Sequence, residues 1–135
     1  MKRIIIYTDG AARGNPGPAG AGAVLIGEDG SVVAEVSRYL GKTTNNQAEY
    51  QALVLALEEA RRIGATVLNI YSDSELLVKQ MKGEYYVRND GLKPLFKLAK
   101  GKLKSFSQYS IDYLPRERNA HADRLANRAI DEHDL

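Results

Sequence analysis

Four acidic residues stand where chemistry is expected: Asp9 in YTDGAARGNPGPAG, Glu49 in TTNNQAEYQAL, Asp73 in IYSDSELL and Asp123 in RNAHADRLANRA. Each falls where a strand ends or a helix begins, beside apolar residues that belong in a core. A carboxylate is costly to bury unless it is paired or bound to metal. Four drawn together from distant segments would make a cage for a hard divalent cation such as Mg²⁺. Each also has a plainer duty open to it. Asp9-Gly10 suits a turn, Asp73 suits a helix N-cap, Glu49 could reach back to Asn46, and Asp123 complements a helix dipole. Ser72 with Glu75 spells a capping box that would leave Asp73 spare, and Thr44 with Gln47 spells one that competes with Asn46 and Glu49.

The elements that must position these groups can be read in order. Residues 2–8 (KRIIIYT) are apolar on both alternating sets, as in a central strand buried on two faces. GAARGNPGPAG is dense in Gly and Pro and reads as a turn or loop. AGAVLIGE, DG and SVVAEVSRYLG read as a hairpin, Asp29-Gly30 suiting a tight turn with positive φ. Residues 45–63 follow as a helix with Tyr50, Leu53, Leu57 and Ala60 at helical spacing. A buried strand at 66–72 leads into a short helix ending at Gly83. An irregular stretch at 84–91 precedes a helix over 93–105, with Leu92, Leu95, Phe96, Ala99 and Leu103 on one side. Residues 110–115 read as a fifth strand, stopped by Pro115, and a last helix begins near Asn119 and frays at DEHDL. The expected class is α/β: a mixed five-stranded sheet, antiparallel over its first three strands and parallel over the last two, flanked by helices.

On that layout Asp9 and Asp73 end parallel neighbouring strands and reach one edge of the sheet, where α/β folds put their sites. Glu49 is read in the first turn of its helix, in register with buried positions Leu53, Ala56 and Ala60, and Asp123 in a first turn with Ala126 and Ile130. All four can gather at that edge.

Composition narrows the chemistry. The chain has 135 residues, read as a single domain over 1–135, with 44% hydrophobic and 27% charged residues and a net charge of +2. The absence of Cys removes disulfides, thiol catalysis and Cys-ligated zinc. The apolar run at the start is too short for a signal peptide or a membrane span, and cytoplasmic location is the expectation. Near-neutral charge means that affinity for nucleic acid must come from charge placement.

TDGAARGNPGPAGAG, TTNNQAEYQALVLAL, YSDSELLVKQM and NAHADRLAN resemble, in order, the motifs of ribonuclease H type 1, and the match spans roughly residues 4–130. The resemblance implies a ribonuclease H-like fold. It implies an endonuclease, acting as a monomer, that cuts the RNA strand of an RNA–DNA hybrid and leaves 5′-phosphate and 3′-hydroxyl ends. It also implies catalytic, metal-binding roles for Asp9, Glu49, Asp73 and Asp123, holding two Mg²⁺ ions (Mn²⁺ being the other option) that clamp the attacking and leaving oxygens. Gly14, Asn15, Thr43, Asn45 and Asn46 match positions that contact the hybrid, Thr43 at a DNA-strand phosphate. Neutral donors and acceptors there suit a test for the 2′-hydroxyl. A nuclease that also accepts RNA duplexes and a non-catalytic hybrid-binding module are the alternatives.

The chain departs from the family pattern in places. Relatives often carry a His in the loop before the last carboxylate. Here LPRERNAHAD offers His121, two residues before Asp123, with Arg116 and Glu117 as competing candidates for proton transfer. Glu75 stands where a neutral amide is common. MKGEYYVRNDGLKP is too short for the basic handle of many relatives, which marks the compact subtype, and with no hybrid-binding domain ahead of residue 1 low processivity is expected. Lys93, Lys97, Lys100 and Lys104 form a stripe that could neutralise phosphates, and Tyr85 and Tyr86 could stack on a nucleotide; a solvated face and ordinary packing are the plainer readings.

Overall fold

Alternation sets the first strand. In the computed structural model, which describes residues 2–134, Ile4, Ile6 and Thr8 of β1 (Arg3–Ala12) are buried on one face, while Ile5, Tyr7 and Asp9 take the other. β2 (Gly17–Ile26) and β3 (Val32–Thr43) add antiparallel neighbours, with Asp9 opposite Gly22. β4 (Val67–Ser72) pairs with β1 in parallel, Thr8 beside Ser72, and β5 (Gln108–Tyr113) pairs with β4 in parallel. The order β3-β2-β1-β4-β5 is the expected mixed five-stranded sheet.

Helices cover both faces. α1 (Asn45–Arg62) packs Leu53, Ala56 and Leu57 onto Ile4, Ile6, Leu25 and Leu68, and α3 (Lys93–Leu103) adds Leu92, Ala99 and Leu103 to that core. Each large aliphatic side chain buried there stabilises the fold by roughly 1.5–3 kcal/mol. α2 (Glu75–Met81) is short, and α4 (Ala120–His133) lies across the β2 side of the other face. No described helix is long and apolar enough to cross a membrane.

Several expectations shift. The Gly- and Pro-rich stretch is mostly strand: β1 continues to Ala12, β2 starts at Gly17, and Arg13 N–H closes the turn onto Pro18 O at 2.8 Å. The Asn15–Pro16 peptide is cis. The second hairpin is not a two-residue turn. Only Gly30 has positive φ, and Asp29 Oδ1 accepts from Ser31 N (3.0 Å) and Oγ (2.7 Å) inside a longer loop over 27–31. The cap of α2 is Ser74, whose Oγ accepts from Leu77 N at 3.2 Å, while Ser72 Oγ accepts from Ser74 N. β5 ends at Tyr113, a 3₁₀ turn at Arg116–Arg118 follows Pro115, and α4 holds to His133 without fraying at Asp131 or Glu132; Leu135 lies outside the described residues.

Residues 82–92 join α2 to α3 with no helix of their own, where the handle was expected to be missing. The lysine stripe of α3 is divided. Lys100 Nζ donates to Met81 O at 2.7 Å and Lys93 pairs with Asp90 at 3.2 Å, while Lys97 and Lys104 are exposed.

Candidate metal centre and nucleic-acid interface

Two backbone contacts bring the carboxylates together. A Cβ on Gly10 would lie 2.2 Å from the carbonyl carbon of Ala48, so only glycine lets the start of α1 rest on β1 at this point. That approach delivers Glu49, whose Oε1 accepts from Gly10 N at 2.6 Å. The entry of α1 is fixed by the Thr44–Gln47 capping box, both arms of which are present. Glu49 is the fifth residue of α1 rather than a first-turn residue; it is 4% exposed and in line with buried Leu53, Ala56 and Ala60. On the opposite face, a Cβ on Gly22 would lie 2.2 Å from Ala122 O, which seats α4 against β2 beside Asp9 and presents Asp123.

Asp73 follows the last residue of β4, so it leaves the sheet next to Asp9. Ser72 and Ser74 meet the backbone needs of this turn, which leaves the Asp73 carboxylate to the site. One carboxylate oxygen each from Asp9, Glu49 and Asp73 lie within 4.8 Å of one another. Asp123 lines the same open depression, of about 470 Å³, and Asn127 Nδ2 donates to its Oδ1 at 3.3 Å.

Two carboxylates at that separation repel by about 3 kcal/mol at an effective dielectric near 20. The titration reflects it. Burial raises Asp9 most, and the Glu49 charge and hydrogen bond, Asp73 and Asp123 raise it further. Burial likewise raises Glu49, while hydrogen bonds from Asp9 and Gly10 N–H hold it back. Without a cation the pair therefore keeps a proton, on Asp9. Asp73 is raised by burial, against the pull of Asn119 and Arg116. A hard, all-oxygen, acidic donor set that resists losing its protons fits a divalent ion, whose charge would release them.

The remaining candidates divide. Asn45 lines the depression, and its backbone N–H donates to Asn15 Oδ1 at 3.1 Å, which ties the β1–β2 turn holding Gly14 to the start of α1. Asn46 is exposed beside it, and the Thr43 hydroxyl bonds to Gln47 Oε1. His121 does not line the depression that holds Asp9, Glu49 and Asp73. Its Nε2 lies 2.6 Å from Glu35 Oε2 on β3, and it shares with Asp123 a neighbouring hollow along α4. Arg116 does line the depression, and its charge lowers both Glu49 and Asp73; Glu117 is exposed and lies outside the lining. None of the four α3 lysines, nor Tyr85 or Tyr86, lines it. Asn119, Asn127 and Arg13 were not singled out by sequence. Asn127 carried a usable signal, four residues after Asp123 on one helix, whereas Asn119 reads only as a helix cap and Arg13, bonded here to Asp131, as a loop cation.

The family model described as reverse transcriptase-like matches residues 7–129. The ribonuclease HI of Halobacterium salinarum is 44% identical over 130 residues, 96% of this chain and 65% of that protein. A bifunctional protein of Mycobacterium tuberculosis is 43% identical over 130 residues, again 96% of this chain but 36% of that protein. The chain thus spans between about a third and two thirds of these curated relatives. Among solved structures, the H. salinarum RNase H1 superposes with a TM-score of 0.94 at 44% identity, covering 96% of this chain and 98% of that one. LC11-RNase H1 in complex with an RNA/DNA hybrid gives 0.93 at 44% identity, covering 98% and 99%. Sheet order, helix placement and the acidic edge define an α/β fold of the reverse transcriptase-like class, and within it the chain belongs to the ribonuclease H type 1 family.

Proposed function

We propose that this protein is an endonuclease that hydrolyses the RNA strand of RNA–DNA hybrids, with Mg²⁺ as cofactor, leaving 5′-phosphate and 3′-hydroxyl ends. The observation that carries the reading is the meeting of Asp9, Glu49 and Asp73 oxygens within 4.8 Å, with Asp123 across the same depression. These four carboxylates would hold the metal, Mn²⁺ being the nearest substitute. When bound, the ions supply Lewis acidity and an acidified water for phosphodiester hydrolysis. In the reaction a water oxygen joins phosphorus, the bond to the 3′ oxygen breaks, and that oxygen takes up a proton.

The chain's own groups prepare this step. Gly10 N–H orients Glu49 and Asn127 orients Asp123. Arg116, exposed at the rim, sets a cation where a phosphate approaches. Gly14, Asn15, Thr43, Asn45 and Asn46 form the neutral shelf beside the carboxylates that tests the hybrid, and base sequence matters little to such contacts. We assign a single catalytic domain, a monomeric state and a cytoplasmic setting to the same reading.

A labelled hybrid, an RNA duplex and a DNA duplex incubated in equal salt with Mg²⁺ test the assignment. Cleavage confined to the RNA strand of the hybrid and abolished by chelator is expected. Hybrid binding without cleavage would make the chain a binding module, and equal cutting of the RNA duplex would widen the substrate.

A further inference from the structure

We propose that Asn119 is a positioning residue, whose side-chain amide ties the end of β1 that carries Asp9 to the start of α4 that carries Asp123 and so sets the spacing of the carboxylates. The proposal rests on the reading of those carboxylates as a metal centre.

Asn119 occupies the N-cap of α4, where an Asn side-chain oxygen ordinarily accepts from a first-turn N–H. It makes no such bond. The amide is turned the other way, and Nδ2 donates to Thr8 O at 2.8 Å, the carbonyl of the peptide that leads into Asp9. The residue is 1% exposed, and its Oδ1 is buried with no partner among the described residues. Rotating the amide by half a turn would set Oδ1 against the Thr8 carbonyl, oxygen to oxygen, so the nitrogen must face β1.

Nδ2 carries two protons. One of them goes to Thr8 O. The backbone of the same residue starts the helix: Asp123 N donates to Asn119 O at 3.1 Å. One residue therefore touches the segments of Asp9 and Asp123. Aspartate would cap α4 well but would present an acceptor to Thr8 O and a fifth negative charge to the cluster. Serine would cap but is too short to bridge. A side chain that leaves its cap unmade and an acceptor unpaired is held for its other end.

The contrast with serine supplies the test. Asn119→Ser restores a capping oxygen and Asn119→Ala does not, while both remove the bridge. Three quantities are measured: the melting temperature in chelator, the Mg²⁺ midpoint from the Gly10 amide shift in NMR titration, and kcat and KM on a labelled hybrid. The Ser variant should melt at or near the wild-type temperature, yet its Mg²⁺ midpoint should rise about tenfold or more, as for other groups that orient metal ligands. Its kcat should fall while KM for the hybrid holds. The Ala variant should melt lower and show the same midpoint shift. Midpoints within twofold of wild type in both variants would overturn the positioning role and leave the metal centre standing. Wild-type protein whose Gly10 amide ignores Mg²⁺ would remove the centre itself, a result visible before any variant is made.

Discussion

At the residue scale, a carboxylate that is 6% exposed and faces two others must hold either a proton or a cation. Asp9 is that residue. Asp9→Asn should reduce hybrid cleavage by more than about a hundredfold, since the site loses a ligand rather than the support of one. The same change should keep or raise the melting temperature in chelator, because an amide sits beside Glu49 and Asp73 without having to take up a proton first. A lower melting temperature would argue that Asp9 is stabilised by something other than a cation. His121 gives the opposite expectation. Its partner is Glu35, both side chains are about 40% exposed (41% and 42%), and such a pair contributes under about 1 kcal/mol. His121→Ala should leave cleavage within about threefold of wild type, whereas a proton-transfer role would lose ~10²–10⁴. Steady-state kinetics decides between them.

At the scale of elements, the glycines separate into those that admit a neighbour and those that do not. Gly22→Ala would drive a methyl into Ala122 O at 2.2 Å and push α4 off the sheet; a loss of about 1–3 kcal/mol is expected, with cleavage falling as Asp123 moves. Gly101, inside α3, has nothing within 4 Å of its would-be Cβ, so Gly101→Ala should stabilise by about 0.5–1 kcal/mol and leave cleavage alone. Chemical denaturation of the two variants gives both signs in one experiment. The same distinction explains what could be read in advance. The Thr44–Gln47 box and the buried register of Glu49 follow from local spacing and were legible. Gly10 and Gly20 were taken for loop residues because glycine signals both turning and close approach, and only the helix lying on the sheet tells which. The His121 partner was illegible for a related reason: nearness to Asp123 in sequence does not reveal that the imidazole meets Glu35 on β3.

At the scale of the whole molecule, the raised carboxylates make stability depend on pH. The unfolded chain gives up these protons in the ordinary carboxylate range near pH 4, while folded Asp9, Glu49 and Asp73 keep theirs to higher pH. The cluster's contribution is therefore most favourable below that range and is lost as pH rises through the elevated folded values. In chelator, wild-type melting temperature should fall between pH 5 and pH 8 more steeply than that of Asp9→Asn. Saturating Mg²⁺ should flatten the wild-type curve, because a bound cation favours the charged forms. Parallel slopes for the two proteins without metal would mean that the acidic edge does not govern the pH response. Sheet order and the gathering of four carboxylates at one edge were readable from sequence; their mutual distances, which decide this response, were not.

The seating of α1 on Gly10 and of α4 on Gly22 has a consequence for fluctuations. These contacts join the acidic edge to central β1 and to its neighbour β2 through main chain rather than through flexible side-chain arms. A site on a loop can open by itself, but this one is bonded into the most protected part of the sheet, so it should open only when the strands separate. Hydrogen exchange at the Gly10 amide should then occur with the same free energy as global unfolding. The depression would be rigid on every timescale shorter than unfolding, and adaptation to a duplex would fall to the turn at 13–16 and the largely exposed segment at 82–91.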